Sequence, residues 1–163
     1  MHKRRLQAWL IAAGVFGLDR WTKSMVETRL DAFDVKVVIP GFFNLVHSNN
    51  PGVAFGIFQE NPTPQRTMLL VIISIAAIVT LAGILWTIHK HDRLTANGLS
   101  LIFGGALGNV YDRVHTGAVT DFLDFHAGSW HWYIFNLADS AICVGAGLLI
   151  LSMFLTNRKE ASA

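Results

Sequence analysis

The chain has 163 residues, of which 52% are hydrophobic and only 15% are charged. A soluble domain carries about 25% charged residues, so this composition predicts a membrane protein. The net charge of +2 is small, and no basic face with interleaved aromatic residues is visible, which argues against nucleic-acid binding. The single cysteine, Cys143, cannot form an internal disulfide, and its apolar surroundings predict a small buried side chain.

Four apolar runs are near the roughly 20 residues that a helix needs to cross a bilayer. They lie at about 6–26, 67–88, 94–112 and 133–155. A secretory signal peptide is the alternative for the first run, but no convincing small-x-small cleavage site precedes its polar turn, so we expect an uncleaved span. The sequence predicts a mainly α membrane protein, a four-transmembrane-helix bundle that forms a single domain over 1–163.

Short basic segments decide the orientation of these spans. In a four-span arrangement all of them fall on one side: Lys3, Arg4, Arg5, Lys90, Arg93, Arg158 and Lys159. The positive-inside rule makes that side cytoplasmic, so both termini are predicted inside, and residues of about 27–66 and 112–132 outside. The five tryptophans fall near predicted span ends, where an amphipathic ring is most stable.

The first outer segment has the pattern of a short hairpin. Apolar residues alternate across 35–39, Pro40 and Gly41 turn the chain, and a second apolar stretch follows at 42–47. Such an element could rest on the outer leaflet, or it could be an ordered loop that packs on the helices. The stretch at 49–56 has the composition of a tight turn, which could lay backbone groups beside an extended peptide or could be an ordinary loop turn.

The third run combines small and polar residues. Gly104 and Gly108 form a small-xxx-small pair, which lets a neighbouring helix approach closely. Asn109, Asp112 and Arg113 follow at spacings that place them on one helical face. They predict either a polar network that serves a site or purely structural contacts within the bundle, such as an ion pair between Asp112 and Arg113 at the headgroup level.

Two aspartates stand where an apolar chain should not hold them. Asp139 lies near the start of the fourth run, three residues after Asn136, and Asp121 lies in the polar stretch before that run. A carboxylate at or inside a bilayer is costly, so it is a functional candidate by default. Two at the same end of adjacent spans could share a proton and activate water. In the first run, Asp19 and Lys23 are four apart, and we expect a structural ion pair.

Histidines in the second outer segment offer an alternative chemistry. His115, His126 and His131 lie near Asp121 and Asp124 and together could bind zinc. However, the segment has neither an HExxH motif nor a pair of histidines four apart on a helix. A metal site is therefore not favoured.

Five motifs together resemble the bacterial lipoprotein signal peptidases (signal peptidase II), membrane aspartyl proteases that process prolipoproteins. They are DRWTK at 19–23, NPGVAF at 50–55, GGALGNVYDR at 104–113, GAVTDF at 117–122 and FNLAD at 135–139. Each motif alone is weak, but five in order over four spans are highly specific, and the resemblance covers nearly the whole chain.

The resemblance implies that Asp121 and Asp139 are the catalytic pair. It also implies supporting or substrate-binding roles for eight further residues: Asp19, Lys23, Asn50, Gly52, Asn109, Asp112, Arg113 and Asn136. The implied fold is four transmembrane helices with a small periplasmic β-cradle, in the bacterial inner membrane, with the active site near the outer leaflet.

The implied substrate is a prolipoprotein whose cysteine already bears diacylglycerol, and cleavage falls just before that cysteine. The resemblance implies no metal or organic cofactor, contacts with membrane lipids, and inhibition by the cyclic peptide globomycin. One bundle could hold the whole site, so we expect a monomer. A small proton-coupled carrier that uses the buried Asp, Asn and Arg residues is the main alternative, but the second run and the inner half of the fourth are almost wholly apolar. A third possible function is that of an assembly or lipid-binding scaffold.

Overall fold

The computed structural model describes residues 2–32, 34–52, 63–88 and 92–160. Within those residues the chain forms four helices and four strands. The helices are α1 (His2–Arg29), α2 (Pro64–Trp86), α3 (Arg93–Thr116) and α4 (Leu137–Glu160), and the strands are β1 (Val35–Ile39), β2 (Phe43–Asn50), β3 (Val119–Ala127) and β4 (Trp130–His131).

Local sequence signals set the ends of α3. The Asp92 side chain accepts hydrogen bonds from the backbone N–H groups of Leu94 and Thr95, which satisfies donors that the first turn leaves free. The helix ends at Gly117, which has a φ of 79° and donates its N–H to the Arg113 carbonyl. A left-handed residue after the last turn is a common helix stop, and glycine adopts it without strain.

The start of the fourth helix differs from the prediction. The apolar run begins at about 133, but α4 begins at Leu137. Phe135 instead pairs with Leu123 of β3 as an isolated antiparallel bridge, and its carbonyl accepts the Leu123 N–H at 2.8 Å. The residues before α4 are therefore extended because the sheet holds their backbone groups.

The predicted hairpin is confirmed, and it belongs to a larger sheet. β1 and β2 pair antiparallel, and the strand order is β1-β2-β3-β4. β3 follows α3 directly and pairs antiparallel with β2, so that Asp121 lies opposite Ser48 and Val119 opposite Asn50. The sheet thus lies at the end of the helices where α1 and α3 finish and where α2 and α4 begin.

Close packing of α3 depends on its glycines. A Cβ atom at Gly104 would lie 2.5 Å from the Ala12 carbonyl oxygen of α1, and one at Gly105 would lie 2.5 Å from the Ala138 carbonyl oxygen of α4. A Cβ at Gly108 would collide with the Asp19 carboxylate. The close approach predicted for the third run is therefore confirmed, since α3 lies against both α1 and α4.

Much of the helical surface is apolar and faces outward. Large apolar side chains on the outer side of α2 are exposed, among them Leu69, Ile73 and Val79, while Leu85 on the opposite side is buried in the core. Two of the described helices contain a segment that is long and apolar enough to cross a membrane, Thr67–Trp86 and Leu137–Asn157. A helix that is apolar all round is stable in lipid or in a protein core, and this surface is not covered by protein.

Candidate active site

Asp121 is held in β3 with its carboxylate buried. Only 3% of the residue is exposed. Its Oδ1 accepts a hydrogen bond from Asn136 Nδ2 at 2.7 Å, and its Oδ2 accepts one from Asn50 Nδ2 at 2.9 Å. Burial raises the pKa of Asp121 to about 7. The hydrogen bond from Asn50 opposes this rise, and the negative charge of Asp139 adds to it.

Asp139 is positioned by the N-terminal cap of α4. Asn136 Oδ1 accepts the Asp139 N–H at 2.9 Å, and Asp139 Oδ2 accepts the Asn136 N–H at 3.3 Å. This reciprocal pair is a capping box, with the aspartate at the third helical position. Asp139 Oδ1 also accepts a hydrogen bond from Asn109 Nδ2 at 2.8 Å. The cap therefore fixes a carboxylate in the first turn of α4, where the helix dipole stabilises negative charge.

One asparagine links the two aspartates. Asn136 donates its side-chain amide to Asp121 and uses its backbone N–H and its Oδ1 to hold Asp139. Both aspartates line a single cavity of about 300 Å³. The remaining lining is mostly apolar, with Asn50, Asn109, Arg113, Val119, Trp132, Tyr133, Ile134, Phe135, Ser140 and Cys143. The two aspartates thus line the same cavity.

A buried lysine, Lys23, orients Asn109, the asparagine that donates to Asp139. Lys23 Nζ lies 2.8 Å from Asp19 Oδ2 and 2.7 Å from Asp112 Oδ2, and all three side chains are almost completely buried. Lys23 also donates to Asn109 Oδ1 at 2.9 Å. Because that oxygen is occupied, the Asn109 amide nitrogen faces Asp139. The predicted Asp19–Lys23 ion pair is confirmed, and it extends into a network.

Asp19 also makes a hydrogen bond at the start of α4. Its Oδ1 accepts the backbone N–H of Ala138 at 3.0 Å. That N–H is one of the donors that the first turn of a helix leaves without an intrahelical partner. The carboxylate of α1 therefore stabilises the helix end that carries Asp139.

Asp112 and Arg113 do not form the predicted pair with each other. Asp112 pairs with Lys23 and with Arg20, whereas Arg113 donates to the Gly52 carbonyl at 2.6 Å. Consecutive residues of a helix point in different directions, which explains the separation. The two residues therefore belong to a polar network rather than to one ion pair, and a role of this network in a site stays a prediction.

Asn50, the last residue of β2, lines the cavity, and Gly52 lies in the turn that follows. Asn50 Oδ1 accepts the Gly52 N–H at 2.9 Å, while Asn50 Nδ2 donates to Asp121. Arg113 holds the Gly52 carbonyl, so the turn is tied to α3. The rest of the predicted turn, residues 53–56, lies outside the described residues.

Three residues of the network were missed in the sequence. Arg20 pairs with Asp112, and the Thr120 hydroxyl donates to Glu27 Oε1 at 2.7 Å. The spacing of Arg20, Lys23 and Glu27 is three and then four, which puts them on one face of α1. That periodicity was a usable signal for a polar face at the end of the first span.

The histidines take a structural role around Asp124. His131 Nδ1 lies 2.7 Å from Asp124 Oδ1, and Asn44 Nδ2 donates to Asp124 Oδ2 at 2.9 Å. Burial acts to raise the pKa of Asp124, but these two hydrogen bonds outweigh it and hold the pKa below its usual value. His126 stacks on His131. In the described part of the chain, no three His, Cys, Asp or Glu residues are grouped so as to hold a metal ion.

The prediction for Cys143 was wrong. The side chain is exposed and lines the cavity rather than packing in the core. The neighbouring face of α4 is the one that packs tightly, since a Cβ at Gly145 would lie 2.6 Å from the Gly98 carbonyl oxygen of α3. Cys143 is two residues away, on another face of the helix.

The family model described as Signal peptidase (SPase) II matches residues 11–155. The chain belongs to the signal peptidase II family. A lipoprotein signal peptidase of Solibacter usitatus is 48% identical over 97% of this chain and 96% of its own length. One of Aquifex aeolicus is 41% identical over 94% of this chain and 90% of its own.

Two solved structures, each described as a bacterial membrane enzyme, share the fold. One has a TM-score of 0.81 and 32% identity, and the match covers 93% of this chain and 89% of the other. The second has a TM-score of 0.77 and 34% identity, and the match covers 90% of this chain and 92% of the other. As a member of the signal peptidase II family the chain is a peptidase, and the carrier alternative finds no support among these relatives.

Proposed function

We propose that the chain is an intramembrane aspartic endopeptidase that removes signal peptides from diacylglyceryl-modified prolipoproteins. The cut falls just before the lipidated cysteine, and Asp121 and Asp139 are the catalytic pair. The observation that supports this most is the shared asparagine: Asn136 holds both carboxyl groups at one cavity. The relatives named lipoprotein signal peptidase support the substrate class.

The two aspartates take different roles in this proposal. Asp121, with its pKa raised to about 7 by burial, holds the shared proton. Asp139, in the first turn of α4, is the base. A water between them loses a proton to Asp139 as its oxygen attacks the scissile carbonyl carbon, and Asp121 donates a hydrogen bond to the carbonyl oxygen. A proton then passes to the cysteine nitrogen, the C–N bond breaks, and the signal peptide leaves with a new carboxylate.

Arg113 is assigned to substrate binding. It lines the cavity, and its Nε is buried without a hydrogen-bond acceptor among the residues that the structure describes. A buried donor without a partner is costly, so a carbonyl oxygen from an extended peptide would satisfy it. The other end of the guanidinium already holds Gly52, which fixes the direction of this donor.

A groove between helices supplies a path for the signal peptide. It has a volume of about 320 Å³ and is lined by Leu70 and Ser74 of α2, Ala106 of α3 and Ile142 of α4. Asp139 lines both this groove and the first cavity. A signal-peptide helix that lies beside α2 would therefore present its outer end to the catalytic pair, while the diacylglyceryl chains stay in lipid.

The proposed membrane arrangement places this end of the molecule at the outer leaflet. All four helices cross the inner membrane, both termini are cytoplasmic, and the whole chain is one domain that works as a monomer. The exposed apolar side chains of the hairpin support it, because Val35, Val37, Ile39 and Phe42 form a surface suited to lipid. Globomycin, as an inhibitor of this family, is expected to compete for the same cavity.

Cleavage of a defined peptide tests the proposal. The full chain is reconstituted in lipid vesicles and incubated with two synthetic substrates of one sequence, one with a diacylglyceryl cysteine and one with an unmodified cysteine. Mass spectrometry is expected to find a signal peptide that ends at the residue before the cysteine, from the lipidated substrate only. An assembly or lipid-binding scaffold predicts no product, and equal cleavage of both substrates would contradict the assigned specificity.

A further inference from the structure

A hydrogen bond on the far side of β3 connects α1 to the strand that carries Asp121. The Thr120 hydroxyl donates to Glu27 Oε1 at 2.7 Å. Successive side chains of a strand point to opposite faces, so Thr120 points away from the cavity that Asp121 faces. Thr120 is 3% exposed, whereas the Glu27 side chain is 32% exposed. Glu27 therefore reaches from the rim of the bundle to a buried hydroxyl.

The backbone of Thr120 is held at both of its polar groups. Its N–H donates to Asp112 Oδ2 at 3.4 Å, and its carbonyl accepts from Asn136 Nδ2 at 3.4 Å. Both bonds are long, so each holds the residue only weakly. The same Asn136 amide donates to Asp121 at 2.7 Å. A displacement of Thr120 therefore changes the geometry of the amide that links the two aspartates.

Glu27 has a second charged neighbour, but the threonine is the closer one. Arg20 Nη2 lies 3.9 Å from Glu27 Oε2, which is long for an ion pair, and Arg20 has its short contact with Asp112. The 2.7 Å bond to Thr120 is the shorter and charge-assisted one. Glu27 thus acts mainly on β3.

We propose that Glu27 and Thr120 are a positioning pair, which fixes the β3 backbone behind Asp121 and so sets kcat without touching the substrate. The inference rests on the proposed function, because it assigns Asp121 to the reaction. Small displacements of a catalytic group are costly, since an error of about 1 Å can reduce the rate roughly a hundredfold. Loss of one positioning bond leaves the backbone contacts of Thr120 with Asp112 and Asn136 and its pairing with β2 in place, so we expect a loss of roughly tenfold.

The test measures kcat and KM of the purified full chain on the lipidated peptide. Thr120→Val keeps the side-chain volume and removes the hydroxyl, and Glu27→Ala removes the acceptor. Each is expected to lower kcat roughly tenfold with KM within about twofold, and the double variant is expected to lose no more than either single one. Thr120→Ser and Glu27→Gln keep the hydroxyl and the acceptor oxygen, and they are expected to stay within about twofold of the wild type.

The pH profile separates positioning from a merely structural role. A displaced Asp121 carboxyl loses part of its contact with Asn136, so the alkaline limb of the kcat profile is expected to move in Thr120→Val and to stay in place in Thr120→Ser. If Thr120→Val and Glu27→Ala keep the wild-type kcat, or if their losses multiply in the double variant, the positioning pair is refuted. The proposed function is not affected by either result. A wild-type chain that does not cut the lipidated peptide would overturn the proposed function and this inference with it.

Discussion

Lys23→Met is the substitution whose effect the structure predicts most directly. The methionine side chain is similar in length to lysine but carries no charge and no donor. In the wild type, Lys23 Nζ contacts Asp19 at 2.8 Å, Asp112 at 2.7 Å and Asn109 at 2.9 Å, and none of the lysine side chain is exposed. The variant therefore leaves two buried carboxylates without their common cation.

The size of the loss follows from what remains. Removing one partner of a buried ion pair costs about 3–5 kcal/mol. Asp112 keeps its pair with Arg20, so the uncompensated charge in Lys23→Met is chiefly Asp19. We therefore expect a loss of about 3–5 kcal/mol in the free energy of unfolding, rather than twice that. The Asn109 amide also loses the contact that orients it towards Asp139, so cleavage should fall with stability.

Unfolding of the purified chain in mixed detergent micelles measures this loss. Lys36→Met is the matched control, because Lys36 is an exposed residue of β1 and its replacement should change the free energy of unfolding by less than about 0.5 kcal/mol. Adding Asp19→Asn to Lys23→Met should restore part of the stability, since the buried negative charge is removed. A loss of under about 1 kcal/mol, or no recovery in the double variant, would refute the reasoning.

The remaining predictions concern packing, pH and the guanidinium. Gly105→Ala should destabilise the chain by about 1–3 kcal/mol, because its Cβ would lie 2.5 Å from the Ala138 carbonyl oxygen. Gly147→Ala is the control, because a Cβ there would have nothing within 4 Å, and its stability should not change. Thermal unfolding of the two variants measures the difference. Burial raises the pKa of Asp121 to about 7. The contribution of this carboxyl to the free energy of unfolding is therefore complete below its unfolded pKa of about 3.9, and it is lost as the pH rises through 7. The melting temperature of the wild type should accordingly fall relative to that of Asp121→Asn over that range, and parallel curves would contradict it. Arg113→Lys should raise KM for the lipidated peptide about tenfold, because an ammonium cannot hold Gly52 and a substrate carbonyl in one plane; an unchanged KM would contradict the assignment.

Local patterns in the sequence were enough to predict much of the scaffold. The hairpin follows from alternating apolar residues around a Pro-Gly turn, and both of its strands form. The Asp19–Lys23 pair follows from a spacing of four on a helix, and the structure contains it. The close approach at Gly104 follows from the small residue alone.

Features that depend on distant partners could not be predicted in this way. Thr120 and Glu27 are 93 residues apart, and only the folded chain brings β3 to the end of α1. The start of α4 was placed too early because Phe135 is apolar enough for a span, yet a bridge to Leu123 holds it in the sheet. The exposure of Cys143 depends on which face of α4 packs on α3, and composition does not determine that face.

The catalytic pair is tested most directly by neutral substitution of each aspartate. Asp121→Asn and Asp139→Asn keep the shape of the side chain and remove its ability to exchange a proton. Each is expected to lower kcat on the lipidated peptide at least about a thousandfold, while the variant still folds and peptide binding stays close to that of the wild type. Near-normal turnover by either variant would contradict the assignment of Asp121 and Asp139 as one proton-sharing pair.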